Sequence, residues 1–289
     1  MRFDNSRESE NVEDRRGGGG GGGRGLPMGG KGIGLGTIVL ALVAMYFGVD
    51  PSIVLNQAVE APAPSAASRP AGPPANDAES KFIRHVLAET EDTWQQVFRQ
   101  SGKQYVEPTL VLFSGATRTA CGVGQAAMGP FYCPADQKVY IDLGFYETLQ
   151  SRLGAPGDFA QAYVIAHEVG HHVQNLLGIS AKVDQMRGRV SQAEYNRLSV
   201  RLELQADCFA GVWAHHAQNA RQILEQGDVE EAMNAAAQIG DDALQRSSGG
   251  AVVPESFTHG TSAQRQRWFH AGMQQGSLKA CDTFAARAL

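Results

Sequence analysis

A single predicted helix over residues 158–178 constrains the fold more than any other feature of this sequence. Asp158, with Gln161 three positions later, forms an N-terminal capping arrangement, and Gly178 is a typical helix stop. Apolar residues recur at helical spacing between these ends, so the helix must lie inside the protein. These residues are Phe159, Tyr163, Ala166, Val169, Gly170 and Val173.

The same helix carries His167, Glu168 and His171 in the H-E-x-x-H pattern. Positions i and i+4 project from one helical face, so both imidazoles can bind one metal ion. Glu168 lies one position on, and a zinc-bound water activated by Glu168 as general base is the nucleophile that this pattern predicts. The alternative is a pair of hydrogen-bonded core histidines. His172 lies about 100° around the helix from His171, so we expect it to be structural.

The third ligand is predicted on a second helix. Ser191 and Glu194 form a capping box, and the helical pattern continues over residues 192–215. Glu203 and Asp207, again i and i+4, share one face of this helix. We assign Glu203 as a ligand of one zinc ion per chain, and Asp207 as the group that holds the far nitrogen of a ligating histidine. The alternative is an exposed acidic pair on a solvated helix, which two nearby basic residues favour: Arg197 and Arg201.

The N-terminal part of the chain differs in composition from the rest. Residues 1–31 combine mixed charge with a run of seven glycines, and are predicted to form a disordered cytoplasmic tail. Residues 32–49 are uncharged and apolar, and about 27 Å of helix is enough to span a bilayer. Residues 50–78 form a linker rich in proline and alanine. The globular domain is therefore expected to cover residues 79–289.

The charges around the apolar segment predict its orientation. Basic residues precede it and acidic residues follow it. We therefore expect a single-pass membrane protein, with its N-terminus in the cytoplasm and everything after residue 50 outside. A cleaved signal peptide is the weaker alternative, because the apolar run is long and a proline interrupts the triplet Ala61-Pro62-Ala63.

All four cysteines lie in the predicted external domain. An even number in an oxidising compartment favours disulfides. Of the three possible pairings we favour Cys121–Cys133, which closes a glycine-containing loop, together with Cys208–Cys281. The alternative is free buried thiols.

The remaining elements predict a helix-rich α+β domain with a small β-sheet. β-rich stretches occur at Thr109–Phe113 and Val139–Leu143. Helices are expected over residues 79–100, 158–177, 192–215, 228–245 and 262–275. The net charge of −5 shows no basic excess, so we expect no nucleic-acid partner.

Two segments, "VIAHEVGHHVQNLLG" and "RLELQADCFAGVWA", resemble the neutral zinc metallopeptidases of bacterial genomes. The segments "RESENVEDRR", "CGVGQAAMGPFYCPADQKVYIDL" and "FTHGTSAQRQRWF" resemble the same family, so the similarity covers nearly the whole chain. H-E-x-x-H followed by E-x-x-A-D is more distantly similar to the gluzincin membrane peptidases. The resemblance implies a zincin-like domain that hydrolyses peptide bonds as a zinc-dependent endopeptidase. Together with the predicted orientation, it implies a protein of the bacterial inner membrane with its catalytic domain in the periplasm.

Gluzincins of this kind also carry a Thr-His-Pro segment with an arginine six residues after its histidine. Thr258, His259 and Arg265 match this pattern, but Gly260 replaces the proline. The resemblance implies that His259 hydrogen-bonds the oxyanion of the tetrahedral intermediate, with Arg265 supporting it. The alternative is a loop histidine with an ordinary hydrogen bond.

In the resembling peptidases a sheet edge beside the metal pairs with an extended peptide, and we place Lys138 to Ile141 on that edge by analogy. The expected partners are a protein or peptide substrate and the membrane. Two alternative functions remain open. One is a non-catalytic zinc-containing binding module, although a purely structural site would have no use for Glu168 as a carboxylate that does not bind the metal. The other is a zinc amidase that acts on the cell wall.

Overall fold

Long helices and a four-stranded sheet form the frame of the protein. The computed structural model describes residues 1–16, 77–125, 129–146, 157–238, 240–247 and 252–289. Its helices are α1 (Ala78–Gln100), α2 (Asp158–Leu176), α3 (Ile179–Asp184), α4 (Gln192–Arg221), α5 (Asp228–Gln238), α6 (Asp241–Ser247) and α7 (Ser262–Gln275). Its strands are β1 (Val12–Asp14), β2 (Thr109–Phe113), β3 (Ala116–Thr119), β4 (Gly122–Gln125), β5 (Phe131–Cys133) and β6 (Lys138–Asp142). The prediction of a helix-rich α+β fold with a small sheet is confirmed.

The main sheet has the strand order β1-β2-β6-β5. β1 and β6 both run parallel to β2, whereas β5 is antiparallel to β6. β3 and β4 form a separate antiparallel hairpin. The prediction that Lys138 to Ile141 lie on a sheet edge is wrong, because β6 is hydrogen-bonded on both sides. Among the described strands, β5 takes that edge, and its three residues are too short to give a periodic signal.

Helix α2 packs against α1, α4, α5 and two strands, β5 and β6. This explains why its apolar residues are not restricted to one narrow stripe. Phe159 and Tyr163 of this helix belong to the main hydrophobic core, together with these large, fully buried side chains of other helices: Trp94, Phe209, Trp213 and Phe269. Burying each such side chain contributes about 1.5–3 kcal/mol, so the helix that carries the H-E-x-x-H pattern is held rigidly.

Helices α4 and α7 cross with their backbones in close contact. A Cβ atom on Gly211 of α4 would lie 2.1 Å from the carbonyl oxygen of Phe269, and a Cβ on Gly272 of α7 would lie 1.9 Å from that of Cys208. Two glycines facing each other therefore allow an approach that no larger residue permits.

The prediction that residues 1–31 are disordered is wrong for residues 1–16, which we call the N-terminal arm. The arm adds β1 to the sheet and buries Val12. It also supplies partners for Glu91 of α1, which is fully buried: Ser9 Oγ donates to it over 2.6 Å, Asn11 Nδ2 over 2.9 Å and Arg7 over 2.7 Å. A buried carboxylate requires such donors, and nothing in the composition of the arm alone reveals that it meets them.

The boundaries of three helices differ from those predicted. Gly157, not Asp158, is the N-cap of α2, while Gly178 takes the left-handed conformation beyond its end. Helix α4 continues to Arg221. The predicted helix over residues 228–245 is divided into α5 and α6. Between them, Gly240 lies so close to Ser262 that a Cβ atom would be 2.5 Å from the backbone nitrogen of Ser262.

Both predicted disulfides are present. Cys121–Cys133 closes a short loop, and Cys208–Cys281 joins α4 to a 3₁₀ turn at Leu278–Cys281. Among the described residues, no helix is both long and apolar enough to cross a membrane. The predicted span at residues 32–49 and most of the predicted linker lie outside the described residues, so both remain predictions.

Candidate metal centre

The two helices predicted to carry the zinc ligands bring three of their side chains to one point. His167 and His171 face out of α2, and Glu203 reaches them from α4. The Nε2 atom of His167 lies 3.2 Å from Oε2 of Glu203, and that of His171 lies 3.6 Å from Oε1. The three candidate ligand atoms all lie within 4.8 Å of one another. Two imidazoles and a carboxylate at this separation fit a zinc ion that keeps one position open.

Glu168 lies beside this site without joining it. Its side chain is only 8% exposed, and it forms no ion pair with the other described residues. The residues His171 and Glu203 are about one-fifth exposed, so the site is open to solvent on one side. The arrangement therefore has a metal-ligating set, a separate carboxylate and access for a substrate.

Asp207 orients the first histidine. Its Oδ1 atom lies 2.8 Å from His167 Nδ1, so this nitrogen carries the proton and Nε2 is left to face the metal site. Arg265 of α7 binds both oxygens of the same carboxylate over 2.9 Å, and Tyr163 donates to it over 2.5 Å. Asp207 is fully buried and Arg265 is 3% exposed. The carboxylate thus joins three helices at the metal site.

The charges of this network shift the pKa values of its members in the metal-free protein. Burial lowers the pKa of His167, but the carboxylates of Asp207 and Glu203 outweigh it and raise the value to about 9. Burial raises the pKa of Glu203 and Asp207, but neighbouring positive charges hold both well below their usual range. For Glu203 these charges belong to His171 and His259, and for Asp207 to Arg265 and His167. Anionic carboxylates are thereby maintained at the site, as a cation requires.

Gln174 was not predicted as a site residue, although it contacts His171. Its Oε1 atom lies 2.9 Å from His171 Nδ1. Gln174 belongs to the same helix and lies three residues further on, so the helical spacing alone could have indicated the contact. The amide is neutral and carries no conspicuous motif, which is why it was overlooked.

His172 has the structural position that its angle on the helix predicts. Its Nε2 donates to the carbonyl oxygen of Val106 over 2.6 Å, and its Nδ1 lies 3.0 Å from the hydroxyl of Tyr132. Burial lowers its pKa, so the ring is neutral. The hydroxyl of Tyr132 also accepts from Asn175. His172 therefore ties β5 to the zinc helix and takes no direct part in the site.

His259 lies close enough to Glu203 to lower its pKa, and its side chain is 45% exposed. Its loop is held by Asp241, which accepts from the backbone N–H groups of Thr258, His259 and Gly260 over 2.6–2.9 Å. Asp241 also faces His259 Nδ1 at 3.3 Å, so Asp241 is a partner of His259 that was not predicted. No local pattern indicated Asp241, because it lies 18 residues before His259 in the chain.

Gly260 explains why this loop departs from the Thr-His-Pro pattern. Its φ angle is +91°, which a proline cannot adopt because its ring fixes φ near −65°. The loop therefore follows a different backbone path after His259. The other histidines form no such cluster among the described residues, since His215 and His216 bond carbonyl oxygens of Met273 and Gly276.

The helix-rich α+β frame presents two histidines of one helix and a glutamate of a second helix to one point, and this donor set fits the class of proteins that bind zinc. Comparison with family models agrees: the model described as "Putative neutral zinc metallopeptidase" matches residues 1–284. The chain belongs to this family.

Relatives with similar sequences occur in distant bacteria. The chain is 55% identical to "Uncharacterized protein YpfJ" of Escherichia coli K12 over 288 residues, which covers 98% of this chain and 99% of that protein. It is 40% identical to "Uncharacterized protein Rv2575" of Mycobacterium tuberculosis H37Rv over 263 residues, with 85% and 86% coverage. No solved structure matches the chain. The similarity to the Escherichia coli protein thus covers nearly the whole chain.

Proposed function

We propose that the protein is a zinc-dependent endopeptidase. The observation that carries this proposal is the convergence of His167, His171 and Glu203, with Glu168 beside them as a separate, nearly buried carboxylate. A purely structural zinc site has four protein ligands and needs no such neighbour. When bound, zinc would act as a Lewis acid on water and on the scissile carbonyl.

The residues around the metal position have distinct tasks in this reaction. Glu168 takes a proton from the attacking water as general base and passes it to the leaving amine. Asp207 keeps the proton of His167 on Nδ1 and balances charge on the imidazole. His259, which is half exposed and lies on the same side as Glu203, donates to the oxyanion. Asp241 supports this donor by fixing the loop around it.

The substrate is proposed to be an extended peptide that pairs with the edge of β5. This strand is the edge nearest to α2, because Tyr132 contacts both His172 and Asn175 of that helix. Main-chain pairing of this kind gives affinity with modest sequence demands. A peptide with an N-methylated backbone near the cleaved bond should bind more weakly than its parent, and equal binding would argue against pairing at β5.

The central experiment compares the full chain with its Glu168→Gln variant. Zinc content is measured together with cleavage of denatured casein and of peptidoglycan. We expect about one zinc in both proteins, cleavage of casein by the wild type only, and a loss of turnover of about 10²–10⁴-fold in the variant. Cleavage of peptidoglycan alone would establish the amidase alternative, and zinc binding without any cleavage would favour the binding module.

The location outside the cytoplasm is also a proposal, and the two disulfides support it because such bonds persist in oxidising compartments. A single crossing at residues 32–49 would, however, separate the N-terminal arm from the domain. The arm is hydrogen-bonded to β2 and supplies the partners of Glu91. We therefore propose that the arm and the domain lie on the same side of the membrane.

Labelling of single cysteines in intact cells tests this topology. Asn5→Cys in the arm and Lys103→Cys in the domain both introduce exposed thiols, while the native cysteines are paired. A membrane-impermeant maleimide should label both variants or neither. Labelling of Lys103→Cys alone would restore the single-crossing topology and show that the arm is detached from the domain in the cell.

A further inference from the structure

We propose that Gln174 is the positioning residue of the zinc ligand His171, and that Gln205 and the Cys208–Cys281 disulfide hold Gln174 in place. This inference rests on the proposed zinc site, but not on the reaction proposed for it. Asp207 and Arg265 fix His167, whereas His171 has no carboxylate on its Nδ1 side among the described residues. The second ligand therefore depends on a different set of contacts.

These contacts form one continuous chain of hydrogen bonds. Gln174 Oε1 lies 2.9 Å from His171 Nδ1. Gln174 Nε2 donates to the carbonyl oxygen of Leu202 over 2.7 Å and to Gln205 Oε1 over 3.2 Å. Gln205 Nε2 in turn donates to the carbonyl oxygen of Cys281 over 2.9 Å. Gln174 is fully buried and Gln205 is 5% exposed, so water does not compete for these bonds.

Two backbone carbonyl oxygens determine how the amide groups in this series of hydrogen bonds are oriented. The backbone carbonyls of Leu202 and Cys281 can only accept, so the NH₂ groups of Gln174 and Gln205 must face them. Oε1 of Gln174 is then the atom that faces His171, and it can only accept. His171 must therefore carry its proton on Nδ1, which leaves the lone pair of Nε2 for the metal.

The hydrogen bond furthest from His171 in this series, between Gln205 and Cys281, depends on the disulfide. Cys281 is fully buried in a 3₁₀ turn that is covalently joined to Cys208 of α4 across 73 residues of sequence. Gln205 and Cys208 lie on the same helix, so the disulfide holds the Cys281 carbonyl within reach of Gln205. A reduced protein loses this constraint, and we expect its zinc affinity to fall with it. The zinc site is thereby linked to the redox state of its compartment.

Zinc affinity of the full chain, measured by competition with a chromogenic chelator, tests the role of Gln174. Gln174→Leu keeps the size of the side chain and removes the acceptor, and should weaken zinc binding about 10–100-fold. Gln205→Leu should weaken it less. Asn175→Leu is the matched control, because it removes a neighbouring amide of the same helix that faces Tyr132 instead, and its affinity should stay within about threefold of the wild type.

A second readout separates positioning from simple loss of structure. In the zinc-loaded wild type, NMR should show an exchange-protected Nδ1–H proton for His171, and this resonance should disappear in Gln174→Leu but persist in Asn175→Leu. Wild-type affinity in a folded Gln174→Leu variant overturns the proposal. If that variant does not fold, an unchanged affinity in Gln205→Leu overturns it. Failure of the wild type to bind zinc would instead refute the proposed function.

The two disulfides provide the control for the redox link. Replacing Cys208 and Cys281 by alanine should lower zinc affinity, whereas replacing Cys121 and Cys133 should leave it within about threefold of the wild type. Circular dichroism identifies the temperature range in which both variants are folded, and the affinities are compared there. Equal affinities of the two variants would overturn the link between the disulfide and the zinc site.

Discussion

At the scale of single residues, Asp207 does more than orient a ligand. It is fully buried and receives hydrogen bonds from Tyr163, His167 and Arg265, each of which belongs to the core. Replacing Asp207 by asparagine leaves a buried guanidinium without its counter-charge. We expect the variant to lose about 3 kcal/mol of unfolding free energy and about 10–100-fold in zinc affinity, measured by urea unfolding and chelator competition.

The same substitution at an exposed site provides the control. Asp184 pairs with Arg187 on the surface, and its side chain is 71% exposed. Asp184→Asn should change the unfolding free energy by less than about 0.5 kcal/mol. Equal effects of the two substitutions would show that the buried network contributes no special stability.

Glu13 of the arm gives a prediction for the dependence of stability on pH. Partial burial raises its pKa, but its ion pairs with Lys138 and Arg15 outweigh this and lower it below the ordinary value of 4.5. A lowered folded-state pKa means that the pairs stabilise the protein above pH 4.5, and that this stability is lost as the pH falls through the folded-state pKa.

Glu13→Gln should therefore be less stable than the wild type by about 0.5 kcal/mol at pH 7, a small value because both charges are partly solvated. This difference should shrink as the pH is lowered below 4.5. Urea unfolding of both proteins between pH 3 and 7, about the range that the pKa shift affects, measures it. A difference that stays constant with pH would mean that Glu13 acts through packing alone.

At the scale of elements, the close packing of α4 against α7 allows Arg265 of α7 to reach Asp207 of α4. Gly211 and Gly272 bring the two backbones together. Arg265 extends from α7 to Asp207 of α4 over 2.9 Å. A wider separation of these helices would therefore move the guanidinium away from the carboxylate that orients His167.

Gly211→Ala should destabilise the protein by about 2–3 kcal/mol, although alanine favours an isolated helix by about 1 kcal/mol. The new Cβ would meet backbone atoms, which cannot move aside as a side chain can. Gly170→Ala of α2 is the comparison, because its Cβ would also meet backbone atoms, those of Ala206, but at 3.0 Å or more instead of 2.1 Å, so a small shift is enough. If thermal unfolding shows equal losses in both variants, close backbone contact is not the cause.

At the scale of the whole molecule, the N-terminal arm is part of the folded domain. Met1–Arg15 fall within the same compact unit as the metal site. In addition to Glu91, the arm contacts two further acidic residues of α1: Ser6 contacts Glu89, and Arg7 contacts Asp92. Arg221 of α4 binds both of these acidic residues. The acidic face of α1 is thus held from both sides.

Deleting residues 1–16 should destabilise the domain by at least about 3 kcal/mol, because Glu91 loses every partner described for it and β2 becomes an edge. A synthetic peptide of residues 1–16, added in excess, should restore part of the melting temperature. The same peptide with Asn11→Ala should restore less, since it lacks one donor to Glu91. A deletion variant that melts like the full chain would show that the arm is dispensable.

Features that depend on local spacing could be predicted from the amino-acid sequence alone. The H-E-x-x-H pattern predicted that His167 and His171 share one helical face, because i and i+4 always do so. Apolar periodicity located α2, a β-rich stretch located β2, and the placement of cysteines predicted both disulfides. Ser191 as the N-cap of α4 followed from its own side chain. Each of these predictions depends on residues a few positions apart in the sequence, except for the disulfides, which required a choice among three possible cysteine pairings.

Features that depend on contacts between distant segments became visible only in the folded protein. The arm carries little apolar surface, so its composition predicted disorder, yet it binds the buried carboxylates of α1, which need its donors. β5 is too short to be predicted from apolar alternation, and because it pairs with β6, β6 does not lie at the sheet edge. Asp241 supports His259 from 18 residues away, and Gln174 depends on a carbonyl held by a disulfide. Buried polar groups must find partners wherever the fold brings them, and spacing along the chain does not encode where that is.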